Sequence, residues 1–109
     1  MIITKSEPYT KKEIVQSKRV NQKIIIESLS MDLLRVALGL HRGSFKMAER
    51  FKEEALKRQN ELDLQFAPSY LRRLFLKSKD ILEKDNPDNA EDFLMYSVLF
   101  QNAARKYYS

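Results

Sequence analysis

His41 is the one histidine in a chain that has no cysteine, and those two facts bound the chemistry the sequence can offer. Thiolate nucleophiles, disulfides and sulfur-ligated metals are excluded outright. A single imidazole cannot supply the paired Glu-x-x-His ligands of a bridged metal site within one copy, so neither a metal nor a cofactor is expected. Ser44 lies one turn from His41, but no nucleophile-elbow motif surrounds it and no carboxylate is placed to orient the ring. The pairs Glu53/Glu54 and Glu91/Asp92 are adjacent in sequence, point in different directions on a helix and read as solvated charges, not acid/base couples. Gly39 and Gly43 are the only glycines, which rules out a P-loop and a dinucleotide fingerprint.

The basic groups are the remaining chemistry. Lys11, Lys12, Lys18, Arg19 and Lys23 gather on one predicted helix, and Arg42, Lys46 and Arg50 recur every four residues on the next. Residues 1 to 60 hold thirteen Lys or Arg against seven Asp or Glu, and residues 61 to 109 seven against eight, so the halves carry +6 and −1. Such a patch could neutralise phosphates, whereas no base-reading signature accompanies it; binding would be to the nucleic-acid backbone, weak and salt-sensitive. A solvated face is the simpler reading of both clusters.

Arg35 and His41 enclose the run Arg35-Val36-Ala37-Leu38-Gly39-Leu40-His41. Its Arg-x(4–6)-His spacing resembles that of the HEPN family, all-helical domains whose members include metal-independent ribonucleases acting as dimers. The resemblance covers seven residues. Val36 stands where the family often has a polar residue, and the run precedes two long helices where the family places it late in the core. The resemblance implies a shared dimer cleft in which Arg35 stabilises a phosphorane-like charge and His41 moves a proton.

Helices must position all of these groups. The chain has the length of one small domain with a modest core, and its periodicity predicts an all-α bundle of about four helices, over 11–27, 30–62, 68–84 and 87–108. Residues 1–9, interrupted by Pro8, read as an N-terminal arm, with 10–109 as the single helical domain. Thr10 and Glu13 form a capping-box pattern that starts the first helix. Three consecutive isoleucines at 24–26 leave residues 23–29 open to an extended conformation. Ser28 and Ser30 offer N-caps for the longest stretch, whose stripe is Leu34, Ala37, Leu38, His41, Phe45, Ala48, Phe51, Ala55, Leu56 and Leu62.

That stretch would be about 50 Å long as one straight rod, too long for a compact domain of this size. Gly39 and Gly43 share a face and offer two resolutions: a bend or break with Gly43 as C-cap and Ser44 as N-cap, or a smooth groove for a close helix. Pro68 is placed at the first position of the third helix, over the stripe Leu71, Leu74, Phe75, Ser78, Ile81 and Leu82. Asn86 or Asp88 caps the last helix, whose stripe runs through Ala90, Phe93, Leu94, Ser97, Phe100, Ala104 and Tyr107, widened by Met95, Val98 and Leu99. The length mismatch and the glycine face point to a non-enzymatic module that self-associates or docks a protein partner. Nucleic-acid binding through the basic N-terminal half is the alternative, and the ribonuclease a third. With no apolar leader and no stretch of membrane-spanning length, the expected location is cytoplasmic, away from membranes.

Overall fold

The computed structural model describes residues 10–84 and 87–108, so the 1–9 arm and the Asn86 cap lie outside the described residues. Four α-helices are present: α1 (Lys11–His41), α2 (Phe45–Glu61), α3 (Ser69–Glu83) and α4 (Ala90–Tyr108). Short 3-10 turns at Leu64–Phe66 and Pro87–Asn89 sit in the connections, and no strand occurs among the described residues. Each helix reverses on the previous one. α1 packs along both α2 and α4, and α3 closes the far side by touching α2 and α4.

The longest helix is α1, not the 30–62 stretch. At 31 residues it extends about 46 Å and sets the long axis of a body measuring 61 × 26 × 19 Å. Its start is the expected one: Glu13 N donates to the Thr10 hydroxyl at 3.2 Å and Thr10 N to the Glu13 carboxylate at 3.2 Å. It then continues through residues 23–29, and Ser28 and Ser30 cap nothing. The reason lies across the bundle. Ser30 Oγ donates to the Ser97 carbonyl at 2.7 Å while Ser97 Oγ donates to the Ser30 carbonyl at 2.8 Å, so both hydroxyls are used between helices. Two small residues facing each other also let α1 and α4 approach closely, and with Ile26 fully buried the isoleucine run is held as helix.

Of the two expectations for the glycine pair, the break is the one found, and of the two residues Gly39 alone admits a close helix. Gly43 takes φ +73°, its N–H donates to Leu40 O at 3.2 Å and Ser44 N–H donates to Gly39 O at 2.8 Å. This is a complete Schellman stop, and it breaks the predicted 30–62 rod into two helices. Ser44 is the N-cap residue of α2 but makes no side-chain cap bond; Ala48 N bonds to its carbonyl instead. Gly39, one turn before the stop, meets α2 face on: a Cβ built there would lie 2.8 Å from Ala48 N and 3.1 Å from its Cα.

Breaking the rod resets the phase of the stripe. The residues of α1 that face the core are Ile26, Leu29, Leu33, Val36 and Ala37, whereas Leu38 and His41, expected inside, are exposed along with Phe45. α3 buries the stripe read from its sequence, with Ile81 only partly covered, and begins one residue later than expected, Pro68 being the cap. In α4, Phe93, Ser97, Phe100 and Ala104 are buried as expected, but Leu94, Met95 and Val98 are exposed. Phe75 and Phe100 meet edge to face at 5.1 Å and tie α3 to α4 in the middle of the core.

Three polar ties fix the helices further. Gln22 grips the α2–α3 connection by its amide, donating to Asp63 O at 3.0 Å and accepting from Asp63 N at 3.1 Å. Gln59 donates to Ser78 Oγ at 2.8 Å, which donates on to Phe75 O at 3.2 Å. Arg19 donates to Tyr107 O at 2.9 Å, where a cation complements the C-terminal end of α4.

Candidate interaction face

Apolar residues line two opposite sides of α1. The inner side packs on α2 and α4. The outer side carries Val20, Ile24, Glu27, Met31, Leu34, Leu38 and His41, spaced four and three residues apart in strict alternation. That is the 3.5-residue repeat of a helix seam, with five of seven positions apolar. Val20, Ile24, Met31 and Leu38 are between 37% and 55% exposed. A helix apolar on both sides has its affinity for partners satisfied on only one of them.

The outer seam continues sideways onto α4. With Ser97 turned toward α1, the positions Leu94, Val98 and Gln101 follow on the adjoining outer edge of α4, and Leu94 and Val98 are about half exposed. Between the two helices lies an open groove of about 210 Å³, walled by Leu34, Leu38 and Leu94, with Ala37 and Ala90 at its floor and His41 and Glu91 at its rim. Its lining is mainly apolar, with no convergent set of polar groups. The face is charged unevenly along its length: Lys23 and Arg105 stand toward the start of α1, and Glu91 at the opposite end.

Arg35 and His41 do not converge. Six residues apart on one helix, they are turned about 120° from each other. Arg35 leans toward α2, its guanidinium 5.3 Å over the Phe51 ring and 3.6 Å from Asp32, while His41 stands at the α4 groove. The basic residues are divided as well. Lys12, Lys18, Arg19 and Lys23 belong to the first half of α1, with Arg19 engaged by Tyr107 O and 5.7 Å over the Tyr108 ring. Lys11 is in the same helix, its side chain outside the described residues. Arg42, Lys46 and Arg50 sit at the other end; Arg42 is 19 residues from Lys23, about 28 Å along the helix. One compact phosphate track does not link them. No group of three or more metal-ligating side chains comes together among the described residues, and no helix is long and apolar enough to cross a membrane.

A charged cluster that sequence reasoning missed lies between α1 and α2. Asp32 is buried 3.6 Å from Arg35 and 3.9 Å from Arg58, and Arg58 reaches on to Glu61 at 3.0 Å. Glu54 pairs with Lys57 at 3.6 Å. Burial raises the Asp32 carboxyl above its ordinary 3.8, an effect that Arg58 and Arg35 oppose without cancelling. Asp32 Oδ2 and Arg58 Nε are buried without a hydrogen-bond partner among the described residues, so the pair is held by charge at a distance. A helix starting at residue 30 would set Asp32 in its first turn, whereas the continuity of α1 places it mid-helix.

The chain matches no family model, no curated protein and no solved structure. Function therefore has to be read from the face and the groove themselves.

Proposed function

We propose that this protein is a non-enzymatic helical interaction module that docks a protein partner through the outer side of α1 and the adjoining edge of α4. One observation carries the reading: the heptad-spaced seam from Val20 to His41 lies on the side of α1 that the bundle leaves uncovered. Apolar side chains placed there are only about half covered within the chain, and since burying a whole side chain of this kind is worth about 1.5–3 kcal/mol, covering the remainder against a partner is worth roughly half of that each. The groove beside the seam is open and mostly apolar, suited to an inserted side chain and poor in the convergent polar groups that catalysis needs.

The test is site-specific photo-crosslinking in the cells that make the protein. A photoreactive residue replaces Met31 or Leu38, and Glu83 on α3 serves as control. The expected result is a discrete adduct from the two seam positions, lost when Ile24 is changed to lysine, and none from the control. Absence of adduct at both seam positions removes the proposal.

A further inference from the structure

We infer that the occupant of this face is a second copy of the chain, lying antiparallel across a two-fold axis at Met31; the inference rests on the docking face proposed above. Within the seam, one pair of apolar positions is symmetric about that residue. Ile24 and Leu38 stand seven positions to either side of it, so turning one copy end for end sets Met31 on Met31, and each Ile24 level with a Leu38.

Charge selects this orientation over its opposite. Lys23 flanks one end of the face and Glu91 the other, with Glu27 of the seam between Lys23 and Met31. In an antiparallel pair, Lys23 of each copy comes level with the groove end that carries Glu91 in the other. A parallel pair keeps like charges at the same level, cation with cation and Glu91 with Glu91, and leaves no Lys23 level with a Glu91.

Size selects a copy over a single helix. The seam from Val20 to His41 is about 32 Å long, and with the α4 edge the face is roughly 20 Å wide, a footprint of about 640 Å² before its corrugation is counted. A standard interface buries about 800 Å² on each side, whereas one docked helix would cover about half of this face. A second α1–α4 pair covers it whole. The groove walled by Leu38 and Leu94 then receives the apolar residues at the start of the other α1, Val20 and Ile24.

The absence of cysteine makes the test direct. Met31→Cys, Ile24→Cys and Leu38→Cys are prepared singly, checked for native helicity, and oxidised mildly at a concentration where sedimentation finds the dimer. A disulfide requires Cα atoms within about 7 Å. In the antiparallel dimer only Met31→Cys reaches itself, since the two copies of residue 24, and those of residue 38, stand about 21 Å apart along the axis. The expected result is crosslinking of Met31→Cys at least tenfold faster than of either other single variant, together with a heterodimer when Ile24→Cys and Leu38→Cys are mixed. Glu91→Lys should weaken dimerisation, and adding Lys23→Glu should restore it. Equal self-crosslinking of all three overturns the orientation. A chain that sediments as a monomer at millimolar concentration overturns the second copy, yet leaves the docking face standing if cellular crosslinking still yields an adduct. Loss of that adduct fails the docking face itself.

Discussion

Replacing Gly39 by alanine separates two opposing effects of one methyl group. In an isolated helix the change is favourable by about 1 kcal/mol, because alanine is the better helix former. Here the new Cβ would stand 2.8 Å from Ala48 N, 3.1 Å from its Cα and 3.2 Å from its Cβ. Two of those three atoms are backbone and cannot rotate away, so α1 and α2 must separate, and overpacking of this kind costs about 1–3 kcal/mol. Separation also opens the core in which Val36 and Ala55 are fully buried, which places the overpacking cost toward the upper end. The expected net loss is about 1–2 kcal/mol. With an unfolding entropy of about 2.1 cal/mol/K per residue, that lowers the Tm of a chain of this length by about 4–9 °C.

Urea and thermal denaturation measure both numbers. Ala48→Gly should rescue little, since the two nearest atoms remain when the methyl is gone. Gly43→Ala makes a contrast: nothing stands within 4 Å of the added Cβ, but φ is +73°, so its loss of about 1 kcal/mol comes from left-handed backbone alone and Gly43→Asn should recover part of it. If Gly39→Ala proves neutral or stabilising, α1 and α2 are not this close and the packing account is wrong.

Three further outcomes are expected. Asp32 holds its proton more tightly when folded than when unfolded, so its contribution to stability is present at low pH and is lost as pH rises from 3.8 through its raised folded value; denaturation from about pH 3 to 7 should show wild type losing ground to Asp32→Asn as pH climbs, and a gain would mean the arginines outweigh burial. Ser30→Ala removes one of the two reciprocal bonds but strands no donor, because the Ser97 hydroxyl still donates to the carbonyl of residue 30 and the Ser97 carbonyl merely loses its second donor; chemical denaturation should register about 0.5–1.5 kcal/mol, and a loss above 3 would show a cavity instead. Gln59→Met removes a buried Oε1 that is unbonded among the described residues, a relief of about 1–3 kcal/mol, and with it the Nε2 bond to Ser78 Oγ, a loss of about 0.5–1.5 kcal/mol, so stability by urea titration should hold or rise by up to about 1 kcal/mol.

How far the sequence could be read depended on where each residue's partner lies. Thr10 and Glu13 are three apart, the Gly43 stop spans a single turn, and the α3 stripe needs only its own periodicity; all three were legible. Ser30 was not. Its hydroxyl looked like a cap signal because nothing local reveals a serine 67 residues away that would engage it. The phase of residues 34–41 failed for a related reason: a stripe drawn continuously through Gly43 assigns Leu38 and His41 to the core, and the turn cancels that continuity. The same error concealed part of the candidate face, where Leu38 and His41, expected to be buried, are exposed.

Ser30 and Ser97 also set the timing of assembly during synthesis. A ribosome adding about 5–20 residues per second leaves α1 waiting some 3–13 s after Ser30 is made before Ser97 emerges. α2 follows at once and covers one flank; the other, with Leu29 and Leu33, stays open until α4 is made. For those seconds the nascent chain presents a greasy strip to its surroundings, and whatever shields it must leave before the last helix can dock.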